Sequence, residues 1–359
     1  MSYLVSHLAQ RHDVTLLTLE SPDVASFWPL PSSVERVGID KLGGHGATRL
    51  ARVLARPWCI RQEVRARSPD VVVSFMDTMN VTALLSCLRL EVPVVVSERN
   101  DPALHRIGHA KELLRDRSYR LARCVVVQTE RIARYFAPRL QTKLRIIANP
   151  VPQFPDCAAP ARPGADGRFR MVGVSRLEPH KGFDRLIQAF ADVAEAHPDW
   201  DLRILGEGRE RTALERLVRA RHLDGRVQMP GIVKDVVGEL CAAHAMAFPS
   251  RYEGFPNALA EGLALGLPAV ALQGVSGVED LIVDGETGLL VNGDRTALAE
   301  ALSRLMRDPA MRRQFGDAAR RHVRQWAPSK VLARWEEVLY EAVDAAPAPS
   351  PAAAAELSM

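Results

Sequence analysis

Several large functional classes are excluded by what this chain lacks. Its five cysteines, Cys59, Cys87, Cys124, Cys157 and Cys241, are odd in number and scattered, with no Cys-x-x-Cys pair. That pattern argues against a disulfide frame or a thiolate zinc site and fits a reducing compartment. No apolar run approaches the roughly 18 residues of a membrane-spanning helix, and Met1 to His7 lack the basic region and apolar core of a signal peptide. The expected location is cytoplasmic, peripheral on the inner face of the cytoplasmic membrane. Aromatic residues make up only 6% of the chain. In the arginine-rich stretches Arg49 to Arg67 and Arg106 to Arg123 only Trp58 and Tyr119 interleave with the arginines, which disfavours a nucleic acid partner. No Gly-Lys-Ser/Thr follows a glycine at Walker A spacing, so a P-loop nucleotidase is also disfavoured.

What remains is ordinary globular composition, 359 residues of which 47% are apolar and 25% charged. At about 150 residues per domain this length suggests two domains. The net charge of +4 conceals an asymmetry: residues 1–150 carry 22 Lys and Arg against 14 Asp and Glu, whereas the remainder has 25 against 29. The basic residues cluster at Arg49 to Arg67 and Arg106 to Arg123, which suits a lipid phosphate or an anionic membrane surface, or simply a solvated helix face.

Short β-branched runs alternate with helical stretches: Val71–Phe75, Val94–Ser97, Val125–Gln128, Arg145–Ile147, Arg170–Val174, Leu202–Leu205, Ala245–Phe248 and Ala269–Leu272. Uninterrupted apolar strands between helices predict parallel sheets covered on both faces. The expected fold class is α/β, two Rossmann-like parallel-sheet domains facing across a cleft. The expected division is a first domain at 1–150, a proline-broken linker at 151–167, a second domain at 168–328, a helix at 329–345 returning to the first domain, and a disordered tail at 346–359. Val331, Leu332, Trp335, Val338, Leu339 and Val343 supply the apolar stripe of that terminal helix.

Two segments carry recognisable chemistry. Gly173-Val-Ser-Arg-Leu-Glu-Pro-His-Lys-Gly182 runs from a strand through a loop into a helix, so unpaired backbone N–H groups, Arg176 and Lys181 could cradle an anion. A surface loop with two solvated charges is the plain alternative. Ser250 to Pro268 follows the strand Ala245–Phe248 and places Glu253 in a loop above the strand end and Glu261 on the ensuing helix. Such a pair can accept hydrogen bonds from sugar hydroxyls. The small residues around Glu261 (Ala258, Ala260, Gly262, Ala264) imply close packing, which an acidic residue would join only for a reason. The one Asp-x-Asp, Asp199-Trp-Asp201, precedes a strand and reads as turn chemistry instead of a metal clamp.

Taken in order, GVSRLEPHKGFDRLIQAF, LRILGEGRERTALERLV, VQMPGIV, SRYEGFPNALAEGLALGLPAVA and GVEDLIVDGETGLLV resemble the retaining family 4 glycosyltransferases, which have the GT-B fold. The resemblance covers most of the chain and is densest from Gly173 to Val291. It implies that Arg176 and Lys181 hold the diphosphate of a nucleotide-sugar donor. Glu253 then contacts the transferred sugar and Glu261 the ribose. Gly254, Phe255, Pro256, Asn257 and Ala258 offer backbone to sugar and phosphates, Gly231 and Ile232 lie along the base, and Gly206, Glu207 and Gly208 wall the pocket. Glu253, Lys181, Arg176 and Glu98 are the implied catalytic residues. Fixed cations in a water-excluding pocket stabilise a departing diphosphate by on the order of 3 kcal/mol per well-aimed donor, so neither metal nor other cofactor is expected.

Many members carry a His after the strand matching Val94–Ser97, whereas this chain reads Ser97-Glu-Arg-Asn-Asp-Pro102. That segment resembles the subset acting on lipid-linked saccharides with hexose or N-acetylhexosamine from a uridine diphosphate. The implied activity is a metal-independent hexosyl transfer to a polyprenyl-diphosphate-linked saccharide. Glu98 or Asp101 would meet the acceptor hydroxyl, and Arg99, Arg106, Lys111, Arg115, Arg120 and Arg123 the acceptor or lipid phosphates. A soluble acceptor, or a donor-binding scaffold without activity, are the competing readings. Resembling sequences also open with a strand and a Gly-Gly loop that are absent here, since Met1 matches mid-helix. The expectation is a start roughly 15–25 residues upstream, or a defective fragment.

Overall fold

The computed structural model describes residues 1–20, 24, 29–39, 49–155 and 158–344. The tail expected at 346–359 lies outside the described residues. The chain folds as two units, Met1–Ala148 with Ser329–Met359, and Asn149–Pro328. The stretch 151–167 thus belongs to the second unit instead of standing apart as a linker. Val151 N–H donates to the Trp326 carbonyl at 2.8 Å, and the Arg312 guanidinium reaches the Pro160 carbonyl at 2.6 Å. Proline breaks the periodicity on which sequence reading depends but leaves its carbonyl free to accept.

The first unit runs α1 (Ser2–Leu8), β1 (Thr15–Thr18), β2 (Glu35–Gly38), α2 (Arg49–Arg67), β3 (Val72–Phe75), α3 (Asp77–Ser86), β4 (Val94–Ser97), α4 (His109–Ser118), β5 (Cys124–Val127), α5 (Glu130–Leu140) and β6 (Leu144–Ile146). Its strands pair in parallel as β1–β2 and as β3–β4–β5–β6. Every residue of β4 and β5 is buried, which explains their unbroken Val runs: helices cover both faces and no alternation is needed. The C-terminal helix packs here too. Its buried Val331, Leu332, Trp335, Val338, Leu339 and Ala342 form one face, the Trp335 ring lies 5.7 Å from Phe75, and Glu341 pairs with Arg145 at 2.9 Å.

The second unit contributes β7 (Phe169–Val174), α6 (Phe183–Ala194), β8 (Trp200–Leu205), α7 (Arg211–Ala220), β9 (Val227–Gly231), α8 (Val236–Cys241), β10 (Ala245–Phe248), α9 (Asn257–Ala264), β11 (Ala269–Leu272), α10 (Val278–Leu281), β12 (Gly288–Val291), α11 (Arg295–Arg307) and α12 (Pro309–Val323), and the C-terminal helix is α13 (Pro328–Asp344). The six strands form one parallel sheet in the order β12-β11-β10-β7-β8-β9. Both units are therefore parallel α/β layers, as the strand pattern predicted. Among the described residues no helix is long and apolar enough to cross a membrane.

Two buried polar groups lie against the second sheet. Arg312, 1% exposed, spreads its guanidinium over Phe169 and Trp200 and donates to the Leu305 and Met306 carbonyls. His244 packs edge-on against the same two rings, and its Nδ1 accepts the Arg170 N–H at 2.8 Å. Burial, with the nearby cations Arg312 and Arg170, pushes His244 down to about 4. Its folded value lies below the unfolded one of about 6.5, so the stability it contributes is complete above the latter and drains away as pH falls. We expect about 2 kcal/mol to be lost between pH 7.5 and 5 through this residue. Urea midpoints at both pH values should show a smaller drop in His244→Gln than in the wild type, and equal drops would refute the assignment. Cys241 is disulfide-bonded, contrary to the expectation from scattered cysteines, because sequence spacing does not report proximity in the fold. Cys59, Cys87 and Cys124 are buried and form no disulfide.

Candidate functional site

The chain enters the second sheet at β7, builds outward through β8 and β9, then returns to the other side of β7 with β10. At such a reversal the loops leaving the carboxyl ends of adjacent strands part in opposite directions and open a crevice. The loops after β7 and β10 are the two that the sequence singled out.

They bring Lys181 and Glu253, 72 positions apart, into contact. Lys181 Nζ donates to Glu253 Oε1 at 2.6 Å, and each side chain is 12% exposed. Neighbouring contacts hold the loops together. Arg251 N–H donates to the His180 carbonyl at 2.7 Å, the His180 and Tyr252 rings stack 4.6 Å apart, and Arg251 pairs with Asp184 at 2.9 Å. Burial and the Lys181 charge lower the His180 pKa and favour its neutral form. Gly182 has φ +71°, and a Cβ there would fall 2.1 Å from the Pro249 carbonyl oxygen. His180, Tyr252, Arg251 and Asp184 were not singled out in the sequence. The adjacency of His180 to Lys181 and of Tyr252 to Glu253 was the available signal.

The loops after β8 and β9 interlock with the first. Gly206 N–H donates to the Gly231 carbonyl at 2.9 Å, and Leu177 N–H to that of Glu207 at 2.8 Å. A Cβ on Gly206 would lie 1.9 Å from the Ser175 carbonyl oxygen, and one on Gly208 2.4 Å from that of Leu177. Arg176, in the same loop, is exposed, and among the described residues no carboxylate pairs with it. Glu207 pairs with Arg211, which also donates to the Met229 carbonyl at 2.7 Å. Ile232 leaves an apolar side chain 79% exposed beyond the end of β9.

On the opposite side of the crevice Gly254, Phe255 and Pro256 are buried, Ala258 is half-buried, and no side chain caps the N-terminus of α9. Asn257 N–H is taken by the Phe255 carbonyl at 3.0 Å, which leaves the next N–H groups, those of Ala258 and Leu259, available to an anion. Asn257, exposed, accepts from Asn149 at 2.6 Å. Glu261 is half-buried on α9, and burial raises its pKa. Asp201 of the Asp-x-Asp segment is committed to Arg168 at 2.6 Å and Arg226 at 3.3 Å, a structural use.

The first-unit residues are placed less simply. Glu98 is 1% exposed: Oε1 accepts the Arg99 and Asn100 N–H groups, and Oε2 accepts from the Tyr119 hydroxyl at 2.9 Å, which itself accepts from Asn80. Burial raises the Glu98 pKa. The carboxylate holds the loop after β4 and presents no oxygen outward. Asp101 is equally buried and pairs with Arg131. Arg99 is half-buried over the Phe75 ring, and burial lowers it to about 10. Arg115 corrects the expectation of a phosphate contact. It is 1% exposed and turned inward to Asp116, the Tyr135 hydroxyl and the Phe136 ring. Arg106, Lys111, Arg120 and Arg123 are exposed, and Arg123 lines a groove of about 620 Å³ with Lys143 and Arg145.

The family model described as Glycosyltransferase Family 4 matches residues 1–153, and the one described as Glycosyl transferases group 1 matches residues 160–322. The chain belongs to the family 4 glycosyltransferases. This glycosyltransferase is 24% identical over 353 residues to the GalNAc-alpha-(1->4)-GalNAc-alpha-(1->3)-diNAcBac-PP-undecaprenol alpha-1,4-N-acetyl-D-galactosaminyltransferase of Campylobacter jejuni, covering 95% of this chain and 94% of that one. It is 29% identical over 371 residues to an exopolysaccharide phosphotransferase of Streptomyces coelicolor, covering 94% of this chain but 38% of that protein. Its fold matches that of Anabaena HepE in complex with UDP with a TM-score of 0.71 at 18% identity, over 86% of each chain. The two-domain GT-B fold class expected from the motifs therefore holds.

Proposed function

We propose that this glycosyltransferase moves a hexose or N-acetylhexosamine from a nucleotide-diphosphate sugar, foremost a UDP-sugar, to a polyprenyl-diphosphate-linked saccharide in envelope or exopolysaccharide assembly. Transfer proceeds with retention, without a metal, at the inner face of the cytoplasmic membrane. The observation that carries this reading is the Lys181–Glu253 pair at the strand-order reversal, beside the exposed Arg176 and the uncapped α9. Arg176, Lys181 and the α9 N–H groups would take the diphosphate and stabilise its charge as the anomeric bond breaks. Glu253 would accept from hydroxyls of the sugar, and Glu261 from the ribose. The UDP bound to Anabaena HepE supports the nucleotide, and the undecaprenol-linked saccharide in the Campylobacter enzyme's name supports the acceptor. The enclosed Glu98 favours a second reading, a donor-binding protein without transfer activity, which would bind nucleotide yet show no turnover.

Thermal denaturation with UDP, GDP and ADP and their sugars tests the donor. A nucleotide at 100 times its Kd stabilises by about 2.7 kcal/mol, so UDP should raise the Tm by several degrees. If none of the nucleotides shifts it, the reading fails. Glu261→Gln should weaken UDP binding about five- to tenfold and leave kcat at saturating donor nearly unchanged, because the ribose is remote from the breaking bond. Unaltered affinity would remove Glu261 from the site.

A further inference from the structure

Helix α4 and the 3-10 turn that continues it, Tyr119–Leu121, are built inside out. A helix on a globular core normally turns leucines inward and cations outward. Here the inward face holds Arg115, Ser118, Tyr119 and Ala122, all buried. Leu113, Leu114 and Leu121 are 52%, 45% and 51% exposed. With Ala110 and Arg117 they fall at i, i+3, i+4, i+7 and i+11, one continuous outer stripe. Helix α3, which packs beside α4 and the turn, carries one more exposed leucine, Leu85, and Leu88 is exposed in the turn just past its end.

The charges around the stripe indicate its occupant. Between Ala103 and Arg123 the exposed residues include Arg106, Lys111, Arg117, Arg120 and Arg123 and no carboxylate. Glu112 and Asp116 are half-buried and lie against Arg106 and Arg115. A second copy of the chain docked through the same face would oppose cation to cation. Leucines flanked by long basic side chains match the boundary between anionic headgroups and acyl chains, where the stems snorkel and the apolar face sinks in.

We propose that the outer face of α4 and its 3-10 turn is a membrane-inserting surface, which docks on anionic bilayers by burying Leu113, Leu114 and Leu121 while Lys111, Arg117 and Arg120 meet lipid phosphates. This deepens the lipid-linked acceptor reading and rests on it for its purpose, but its test needs neither donor nor acceptor. The probe is co-sedimentation with vesicles of phosphatidylglycerol and phosphatidylethanolamine, with phosphatidylcholine vesicles as the neutral comparison. The wild type should partition onto the anionic vesicles and far less onto the neutral ones. Leu113→Ser combined with Leu114→Ser should lower that partitioning at least about tenfold at both low and high salt, with the Tm unchanged because both side chains face solvent. Arg117→Gln combined with Arg120→Gln should lower it several-fold at low salt and little at high salt, where charge is screened. Both variants should keep the wild-type response to UDP. A wild type that also lacks that response would sink the donor reading and leave the vesicle result standing. The surface is overturned if the leucine pair partitions like the wild type, if the wild type ignores anionic vesicles, or if the wild type forms a dimer that the leucine substitutions dissociate.

Discussion

Replacing Lys181 with alanine is expected to lower kcat by about two to three orders of magnitude in a protein that remains folded. The ammonium lies at the end of a loop pinned at several points: by Arg251 N–H on the His180 carbonyl, by the His180–Tyr252 stack and by the contact of Gly182 with Pro249. A cation held this firmly needs little reorganisation when charge develops on a departing diphosphate, which is the condition for a large electrostatic effect. Glu253 would lose its partner, but at 12% exposure it retains access to water, so the fold should lose only about 1 kcal/mol. Turnover at saturating donor and the Tm are the two readouts. A folded variant with wild-type turnover would refute the diphosphate role.

Glu253→Gln should reduce turnover by about 100-fold or more with a smaller change in donor affinity. The amide preserves volume and can still accept from Lys181 through its one oxygen, but the ion pair at 2.6 Å is lost, and an NH2 that cannot accept replaces the second oxygen offered to sugar hydroxyls. Because the two side chains act as a unit, the double variant Lys181→Ala/Glu253→Gln should be scarcely worse than the poorer single one. Fully additive losses would mean that the residues serve separate steps. Wild-type turnover in the single variant would remove Glu253 from the chemistry.

Much of this site was legible because its chemistry lies in short segments. Lys181 and Glu253 each follow an apolar strand, and the loop-to-helix character of both segments can be read locally. Their meeting depends on the strand order, in which β10 returns beside β7, a property of the whole sheet. The His180–Tyr252 stack was hidden for the same reason. Helical periodicity failed differently in α4. It shows that Leu113, Leu114, Arg117 and Leu121 share one face and Arg115, Ser118 and Ala122 another, but not that the arginine face is the one turned inward. That choice is made by Asp116, Tyr135 and Phe136, which receive the Arg115 guanidinium. Strand β2 was missed because Glu35-Arg-Val-Gly38 is too polar and short to stand out, and it forms by pairing with β1.

Gly182, Gly206 and Gly208 press main chain against main chain where the loops of the second sheet meet. The frame of the crevice is thus drawn by backbone atoms, and the residues that give it chemical character, such as Glu207, Ile232 and Tyr252, are attached to it as replaceable fittings. For laboratory evolution, this separates two kinds of position. Libraries that vary the fittings should redirect which sugar or base is accepted while the scaffold persists. Libraries that admit any side chain at the three glycines should mostly yield proteins in which the loops no longer close.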